Sequence, residues 1–367
     1  MERLDVLVVG AGAAGVGIGV ALSKLELNFG ILERHAVGHS FAQWPLETRF
    51  ITPSFTSNAF NLPDLNAVTP DTSPAFSLGK EHPSGPEYAK YLKGLARHYG
   101  LPISEGVSVE RVEQLLDQEG FIVHTDDGRF HTRFLIWATG EFQFPLYPIE
   151  GSEHGIHYGK VKSWGQVRGD KHVVLGGYES GMDAAYNLAL LGKEVIVLDP
   201  NAPWESQEGE PSVDLAPFTR ERLQGLINSG RITLAQLGVD KVEKKRDHYL
   251  IHHQEGAIKA SNPPIVATGF GGGLEPLDDL FEVVDGKPLL SEKDESTAAK
   301  GLFLVGPKVN HLDTAFCFIY KYRARFPVVA EEIGKRLGAD TSALELYRKR
   351  GMWADDLQAC CTSRCAC

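Results

Sequence analysis

Residues 4–33, LDVLVVGAGAAGVGIGVALSKLELNFGILE, decide the fold of this chain. The largely apolar run 4–9 predicts a strand that is buried on both faces of a parallel sheet. Gly10, Gly12 and Gly15 follow in the spacing GxGxxG, and the apolar residues after them recur at helical spacing. A second apolar strand completes the pattern of a βαβ unit, and the turn between its first strand and its helix has dinucleotide-binding spacing.

Each part of this turn has a physical reason. Gly10 permits the tight turn, Gly12 lets the backbone approach a pyrophosphate, and Gly15 lets the helix pack on the strand. The pyrophosphate then lies at the helix N-terminus, where unpaired N–H groups and the helix dipole favour negative charge. Glu33 ends the second strand, where a carboxylate can accept hydrogen bonds from ribose hydroxyls. The predicted dinucleotide-binding residues of this unit are Gly10, Gly12, Ala13, Ala14, Gly15, Glu33 and Arg34.

A degenerate copy of the unit begins with HVVLGG at 172–177. Tyr178 stands where a middle glycine would let the pyrophosphate approach, and we expect Gly177 to compensate in part because it has no Cβ. Asp199 ends the next strand, where a carboxylate suits a free 2′-hydroxyl and therefore favours NADH over NADPH. A domain that no longer binds nucleotide stays open as the alternative. The predicted binding residues of this turn are Gly176, Gly177, Glu179, Ser180, Gly181 and Asp199.

Both glycine turns are followed by a meander of short strands that ends in Ala-Thr-Gly, at 138–140 and at 267–269. This internal repeat predicts an α/β fold made of two nested Rossmann-like, three-layer ββα dinucleotide-binding domains. By the same repeat, we expect Thr268 and Gly269 at the second cofactor site.

Two helices are also expected. One begins after Ser84 and runs to His98, and a long amphipathic helix covers 314–337. On the second helix the charged side chains are expected to form a solvated face. These charged residues are Lys321, Arg323 and Arg325.

Composition limits the function classes. The chain has 367 residues, enough for two packed domains, and its net charge of −11 argues against a nucleic-acid surface. The 13 histidines show no metal-ligand spacing, so no metal site is predicted. No apolar run is long enough to span a membrane. No export signal is visible, and we therefore expect a cytoplasmic protein.

The arrangement resembles the FAD/NAD(P)H flavoprotein oxidoreductases with two dinucleotide-binding domains, over nearly the whole chain to about residue 337. ATGEFQFP, residues 138–145, is similar to the link that leaves the FAD domain of that superfamily. The resemblance implies that FAD is the first cofactor and NAD(P)H the second. It places Thr139 and Gly140 close to the flavin nucleotide and Val109 beside its adenine. Trp44 is interpreted as a wall of the flavin site, and Gly306 as a further cofactor-site residue.

The resemblance also implies the domain limits. Residues 1–145 and 266–340 are expected to form a discontinuous FAD-binding domain. The NAD(P)H-binding domain covers 146–265, and 341–367 is a cysteine-bearing C-terminal tail.

Two groups within this superfamily are similar to particular stretches. RFITPSFTSNAFNLPD, residues 49–64, resembles the part of flavin-containing monooxygenases that carries an Asn near the flavin, which corresponds to Asn58. GGYESGMDAA resembles the second turn of bacillithiol-disulfide-reductase-type flavoproteins, although Ala14 replaces the cysteine of their first turn. Gly306 is followed by Pro307 where the superfamily has an Asp.

Four of the five cysteines lie in the last eight residues. Adjacent Cα atoms are about 3.8 Å apart, shorter than disulfides prefer, so a bridge between neighbours would be strained and easily reduced. We interpret these cysteines as catalytic, relaying electrons from the flavin to a disulfide. Soft-metal binding and a tail without a catalytic role remain open. The predicted catalytic residues are Cys360, Cys361, Cys365 and Cys367.

The function predicted from these features is an FAD-dependent NAD(P)H oxidoreductase that reduces a disulfide or similar soft electrophile. Its partner would be a small-molecule or small-protein thiol or disulfide, with a homodimer left open and no nucleic acid or membrane involved. A flavin-dependent monooxygenase of a small molecule and a non-catalytic flavin-binding sensor are the alternatives. His35, His39 and His311 are candidate general acids, but the sequence assigns no carboxylate partner to any of them.

Overall fold

A computed structural model describes residues 3–56, 62–115, 120–207, 212–311 and 314–357. The described residues form two compact units. The first contains 3–42, 53–141 and the residues from 272 onward, and the second contains 43–52 and 142–271.

The first unit is built on a mixed sheet with strand order β3-β2-β1-β6-β5-β4. Its first strand, β1, pairs in parallel with β2 and β6, whereas β5 pairs antiparallel with β4 and β6. Val6, Leu7 and Val8 of the first strand are fully buried, as expected for a strand covered on both faces. The strands are β1 (Arg3–Val9), β2 (Phe29–Glu33), β3 (Ile103–Glu105), β4 (Val109–Gln114), β5 (Phe121–Thr125) and β6 (Gly128–Trp137). The helices are α1 (Ala13–Ser23), α2 (His39–Ala42), α3 (Pro74–Leu78) and α4 (Gly85–His98).

Helix α4 confirms the helix predicted after Ser84. Its first turn is a capping box, in which the Ser84 hydroxyl accepts from the Glu87 amide and Glu87 accepts from the Ser84 amide at 2.9 Å. Tyr88 and Leu92, one turn apart, are fully buried and fix the inward face of the helix.

The second unit has a parallel sheet with strand order β10-β9-β8-β14-β7 and a separate antiparallel meander, β11-β12-β13. Its core lies where Met182, Ala185 and Leu188 of one helix pack on Val195 and Val197. The strands are β7 (Ile156–His157), β8 (Lys171–Leu175), β9 (Glu194–Asp199), β10 (Ile232–Gln236), β11 (Val239–Lys244), β12 (Tyr249–His253), β13 (Gly256–Ala260) and β14 (Ile265–Val266). The helices are α5 (Glu179–Leu190) and α6 (Pro217–Asn228).

The chain then returns to the first unit, where β17 pairs in parallel with β6. The strands of this part are β15 (Val283–Val284), β16 (Lys287–Pro288), β17 (Leu302–Leu304), β18 (Asn310–His311) and β19 (Thr314–Ala315). Its helices are α7 (Ile319–Tyr322), α8 (Phe326–Leu337) and α9 (Glu345–Lys349).

The single helix expected over 314–337 is wrong, because β19, α7 and a 3-10 turn precede α8. The solvated face expected for its basic residues is wrong for Arg323 and Arg325, which are 5% and 0% exposed. Arg323 donates to the backbone carbonyls of Asp64 and Ala67, so its charge is satisfied inside the unit.

The predicted fold class is confirmed: two Rossmann-like α/β units are present, and the second is inserted within the first. The domain limits stay a prediction. The compact units differ from them at 43–52, a stretch that precedes most of the first sheet in sequence but packs with the second unit. No helix in the described ranges is long and apolar enough to cross a membrane. Within the same ranges, His, Cys, Asp and Glu side chains form no group that could hold a metal ion.

Candidate functional site

The first glycine turn joins β1 to α1, and two of its glycines are needed by the turn itself. Gly10 has φ of +105°, a backbone conformation that favours glycine, and its amide donates to the Leu32 carbonyl at 2.7 Å. A Cβ on Gly15 would overlap the carbonyl oxygen of Gly10. Substitution at either position would therefore disturb the strand–helix junction even in the absence of a ligand.

Gly12 is different, because the surrounding protein does not require a glycine there. Its φ of −78° and ψ of −162° suit any residue, and a Cβ would meet no described atom within 4 Å. The open space adjoins the first turn of α1, where the amides of Ala13 and Ala14 have no partner within the helix. This is the space and the donor set that a pyrophosphate needs.

Glu33 closes the other side of the turn. Its Oε2 accepts from the Ala11 amide at 2.8 Å, and its Oε1 accepts from the His35 amide at 2.9 Å. The carboxylate is buried, and each oxygen retains a lone pair that can accept from a ribose hydroxyl. Arg34, next in the chain, is exposed.

Thr139 gives an independent indication of a ligand in the first unit. Its Oγ1 is buried and has no hydrogen-bond partner in the described part of the chain. An unpaired buried hydroxyl costs about 1–3 kcal/mol, so native proteins seldom leave one without a partner. Thr268, at the matching position of the second unit, donates to the Leu146 carbonyl at 2.8 Å. The open space beside Gly12 and the unpaired hydroxyl of Thr139 are therefore both consistent with a dinucleotide bound to the first unit.

The second turn repeats the backbone of the first. Gly176 has φ of +102° and donates to the Leu198 carbonyl at 2.9 Å, and a Cβ on Gly181 would overlap the Gly176 carbonyl oxygen. Asp199 Oδ2 accepts from the Gly177 amide at 2.7 Å, as Glu33 does from the residue after Gly10.

Tyr178 occupies the position that is open in the first unit. It is the N-cap of α5 with φ of −81° and ψ of −170°, nearly the backbone conformation of Gly12. Its side chain is 40% exposed. Gly177 does not compensate: a Cβ there would lie 2.7 Å from the ring of Trp204 and 2.9 Å from Asp199 Cβ. That expectation was wrong, because the missing Cβ makes room for Trp204 and not for a ligand.

Glu179 is predicted to bind the cofactor, but its carboxylate turns towards α6. Oε1 accepts from the Ala216 amide and Oε2 from the Thr219 hydroxyl, both at 2.6 Å. Burial raises the pKa of Glu179, against the opposing effect of these hydrogen bonds. Only its backbone is left for the turn. Ser180, next along, lies half-buried in the first turn of α5.

One turn further along α5, Asp183 is the centre of a buried polar cluster. Its Oδ2 accepts from the Thr48 hydroxyl at 2.6 Å and from the Tyr158 hydroxyl at 2.9 Å. Its Oδ1 lies 3.2 Å from Nη1 of Arg222, whose guanidinium packs on the ring of Tyr186 with its centre 4.8 Å away. Sequence analysis missed this cluster, because its members are far apart in the chain.

Residues 43–52 are held in the second unit by several such contacts. Besides Thr48, Glu47 accepts from the Ser163 hydroxyl at 2.5 Å and from the Trp164 amide at 3.1 Å. Burial raises the pKa of Glu47, but these hydrogen bonds outweigh it and leave the pKa below its ordinary value. Trp44, predicted as a flavin wall, packs 5.0 Å from the ring of Phe50 within this unit.

The remaining predicted residues are placed as follows. A Cβ on Gly306 would lie 3.2 Å from Ala14 Cβ, so Gly306 lies against the first turn. Val109 begins β4, and Gly140 follows Thr139 with open space beside it. Gly269 accepts through its carbonyl from the Leu146 amide at 3.1 Å and lies 3.2 Å from His157 Nε2. Asn58 and the four cysteines, Cys360, Cys361, Cys365 and Cys367, lie outside the described residues.

His311 has the carboxylate partner that the sequence did not assign. Its Nε2 lies 2.5 Å from Oδ1 of Asp294, which also forms a two-pronged ion pair with Arg325 at 2.9 Å. Asp294 and Arg325 are fully buried. Asp294 and His311 are 17 positions apart in the sequence, with no local pattern to link them.

Two glycine turns, each closed by a buried carboxylate, define the class of flavoproteins with two dinucleotide-binding domains. The sequence profile described as pyridine nucleotide-disulphide oxidoreductase matches residues 7–306, and the chain belongs to that family. FAD and NAD(P)H are the cofactors expected of it.

The chain is also similar to individual curated proteins, at less than 30% identity. Bacilliredoxin reductase Bdr of Bacillus subtilis is 28% identical over 226 residues, 59% of this chain and 66% of the relative. The uncharacterized oxidoreductase CzcO of Bacillus velezensis is 29% identical over 195 residues, 50% of this chain and 52% of the relative. The chain thus matches from half to just under two thirds of the length of these relatives.

Solved structures share the fold over almost the whole chain. Bacillithiol disulfide reductase Bdr (YpdA) from Staphylococcus aureus has a TM-score of 0.73 at 19% identity, covering 92% of this chain and 99% of that one. A flavin-containing monooxygenase from Stenotrophomonas maltophilia has a TM-score of 0.70 at 18% identity, covering 92% and 100%. The predicted class and both groups that it was expected to resemble are confirmed.

Proposed function

We propose that the protein is an FAD-dependent NAD(P)H oxidoreductase that reduces a disulfide or a similar soft electrophile. The observation that carries the proposal is the repeated turn, in which the amide of Ala11 or Gly177 donates to a buried carboxylate at 2.8 or 2.7 Å. Two such turns in one chain provide one site for each of two dinucleotides. When bound, the flavin supplies two-electron chemistry between a nicotinamide and a second substrate.

The first unit would hold FAD. The open space at Gly12 and the amides of Ala13 and Ala14 suit its pyrophosphate, and Glu33 suits a ribose. The unpaired Thr139 hydroxyl supports a polar ligand atom at the end of β6. The other residues proposed for this site are Gly10, Gly15, Arg34, Asn58, Val109, Gly140 and Gly306.

The second unit would hold NADH in preference to NADPH. Asp199 places a buried carboxylate where a 2′-phosphate would be repelled. Arg220, on α6, donates to the carbonyls of Trp204, Ser206 and Leu215 at 2.7–3.1 Å. A guanidinium engaged in this way is a poor partner for a phosphate. The other residues proposed for this site are Gly176, Gly177, Glu179, Ser180, Gly181, Thr268 and Gly269.

The acceptor is proposed from the family and from the names of its relatives. Bacilliredoxin reductase and bacillithiol disulfide reductase act, by those names, on thiol–disulfide partners. Reducing one disulfide to two thiols requires two electrons and two protons; NADH supplies a hydride and solvent supplies the second proton. We propose a small-molecule or small-protein disulfide as the substrate, with the tail cysteines as the relay.

Steady-state turnover tests this proposal. Purified protein is reconstituted with FAD, and NADH or NADPH oxidation is followed with 5,5′-dithiobis(2-nitrobenzoate), glutathione disulfide, bacillithiol disulfide or an oxidised bacilliredoxin. We expect disulfide-dependent turnover that is faster with NADH. Deleting 358–367 should abolish it while NADH still bleaches the flavin absorbance. Cys317→Ser is the control for loss of a thiol outside the tail.

A monooxygenase is the second candidate, because the Stenotrophomonas flavin-containing monooxygenase shares the fold over 92% of this chain. If the protein is a monooxygenase, oxygen consumption should depend on an added small amine or sulfide. It should also persist in the variant that lacks residues 358–367. If neither nicotinamide dinucleotide bleaches the flavin, both enzyme proposals are wrong and a flavin-binding sensor is left.

A further inference from the structure

The second Ala-Thr-Gly, residues 267–269, lies directly against the second glycine turn. A Cβ on Gly176 would lie 2.4 Å from the Ala267 carbonyl oxygen, and one on Gly181 would lie 3.5 Å from Ala267 Cβ. Gly269 has φ of +90°, and a Cβ on it would meet no described atom within 4 Å. The segment therefore has open space beside the turn, at the carboxyl end of β14, where sheets of this class bind their ligands.

Two backbone amides of this segment are donors without a protein partner. Within the described ranges, the amides of Thr268 and Gly269 donate to no protein acceptor. The amide before them, that of Ala267, instead donates to the Leu175 carbonyl at 2.8 Å. Successive amides beside a glycine of positive φ form a donor pair that suits an electronegative oxygen, such as those of a nucleotide.

His157 holds the carbonyl group of Gly269. It ends β7, which pairs in parallel with β14, and its side chain is fully buried. Its Nε2 lies 3.2 Å from the Gly269 carbonyl oxygen, which also accepts from the Leu146 amide at 3.1 Å. A carbonyl oxygen has two lone pairs, so both are used and the backbone at Gly269 is fixed.

The other ring nitrogen of His157 determines where its proton lies. Nδ1 accepts from the Gly159 amide at 3.1 Å, so the proton of the neutral ring is on Nε2 and faces Gly269. The rings of Tyr147 and Phe270 pack edge-on against the imidazole, with centres 5.2 and 5.1 Å away. The donor to Gly269 is therefore held in one place and one orientation.

The first unit lacks this contact. In the part of the chain that the structure describes, the carbonyl of Gly140, the counterpart of Gly269, accepts no hydrogen bond. Tyr178 also occupies the position that is open at Gly12, so the second turn leaves less room for a pyrophosphate. A second Ala-Thr-Gly that is already held in place offsets part of that loss, because its donors need no ordering when a nucleotide binds.

We propose that His157 is a positioning residue, which fixes the backbone at Gly269 so that the amides of Thr268 and Gly269 meet an oxygen of the second dinucleotide. This inference rests on the proposed function, in which the second unit binds NADH. His157 acts through Gly269 and does not itself contact the nucleotide.

Two substitutions separate the roles of the two ring nitrogens. His157→Gln can place an amide N–H where Nε2 lies, so it keeps the donor to Gly269 but loses the acceptor for Gly159. His157→Asn places a carbonyl oxygen where Nδ1 lies, so it keeps the acceptor but is too short to reach Gly269. His172→Asn is the matched control, because His172 is another buried histidine of this unit and lies at the end of β8 away from the glycine turn.

The full-length protein with FAD bound is used for each measurement. Isothermal titration with NAD⁺, which cannot reduce the flavin, gives a Kd. Anaerobic rapid mixing with NADH gives an apparent Kd and the limiting rate of flavin reduction. Amide hydrogen exchange of Gly159 shows whether the bond to Nδ1 is kept.

We expect both Kd values to rise about fivefold in His157→Asn, the effect of one neutral hydrogen bond, and to stay within about twofold in His157→Gln. The limiting rate should not change, because the amides hold the nucleotide equally before and during hydride transfer. Exchange of the Gly159 amide should accelerate in His157→Gln and not in His157→Asn.

Three results would overturn the proposal. Affinity in His157→Gln that is equal to or lower than in His157→Asn removes the role of Nε2, and the second nucleotide site still stands. A fivefold loss in His172→Asn as well would show that any buried histidine of this unit has the same effect. If the unmodified protein binds neither NAD⁺ nor NADH, the proposed function fails at its second site, and this inference fails with it.

Discussion

Gly12→Ala separates ligand binding from folding, because the fold leaves space at Gly12 that it does not leave at Gly15. The added methyl group meets no described atom within 4 Å, and the backbone conformation suits alanine. We therefore expect the free energy of unfolding of the FAD-free protein to change by no more than about 0.5 kcal/mol. Gly15→Ala instead pushes a Cβ into the backbone of Gly10, and backbone cannot yield as a side chain can. A loss of about 3 kcal/mol or more is expected.

Gly12→Ala should weaken FAD binding strongly, although it leaves the stability of the FAD-free protein almost unchanged. The methyl group at Gly12 stands beside the first amides of α1, where the pyrophosphate is proposed to bind. Losing one hydrogen bond to a charged group costs about 1.5–3 kcal/mol, which weakens the Kd about 10- to 150-fold.

Two measurements decide the matter. Urea unfolding of the FAD-free protein gives stability, and quenching of flavin fluorescence on titration gives the Kd. Gly94→Ala is the control, since Gly94 lies inside α4 with the same open surroundings and should only stabilise that helix, by about 0.5–1 kcal/mol. The reasoning fails if Gly12→Ala unfolds as easily as Gly15→Ala, or if its Kd for FAD equals that of the unmodified protein.

Four further predictions follow from the two units. Tyr178→Gly should tighten NADH binding about tenfold by opening the turn, and Tyr178→Phe, which keeps the bulk, should not; isothermal titration measures both. Asp199→Asn should reduce the preference for NADH over NADPH about tenfold in kcat/KM, because it removes the charge that repels a 2′-phosphate. Thr139→Val should leave the FAD-free protein no less stable and weaken FAD binding by about 1 kcal/mol, measured by the same fluorescence titration. Burial lowers the pKa of His157 below its ordinary 6.5, so the unfolded chain takes up the proton first as the pH falls. Stability should therefore decline as the pH drops below about 6.5, and urea unfolding of His157→Asn should show a smaller decline. The remaining decline is expected from His172, whose pKa burial also lowers.

Contrary outcomes are defined for the substitutions of Tyr178, Asp199 and His157. Equal NADH affinity in the glycine and phenylalanine variants at position 178 would show that the side chain does not restrict the turn. Unaltered cofactor preference in Asp199→Asn would remove the electrostatic argument for NADH. A pH profile of His157→Asn identical to that of the unmodified protein would assign the titration to another group.

The elements that are encoded locally were predictable. Glycine spacing, apolar strands and a terminal acid all lie within about 30 residues, and they identified both turns and the fold class. The helix predicted to begin after Ser84 was likewise found, and the capping box at its start is also a local feature. The break within 314–337 had a local signal too, since Pro327 at the start of α8 marks a helix beginning.

What sequence reasoning missed depends on contacts between distant residues. Arg323 and Arg325 look like surface charges until the carbonyls of Asp64 and Ala354 are brought to them by folding. Gly177 looks like a second open position until Trp204 packs over it. In each case the partner is 27 or more residues away or lies in another element, so no periodicity in the chain could reveal it.

Because residues 43–52 belong to the second unit, this unit cannot be exchanged between related proteins as one continuous segment. A cut at 142 and 271 yields a contiguous, easily cloned piece, but it leaves Asp183 without the hydroxyl of Thr48 and the amide of Trp164 without the carboxylate of Glu47. The second unit is therefore discontinuous in sequence, and a chimera that exchanges this unit between homologues must also carry residues 43–52.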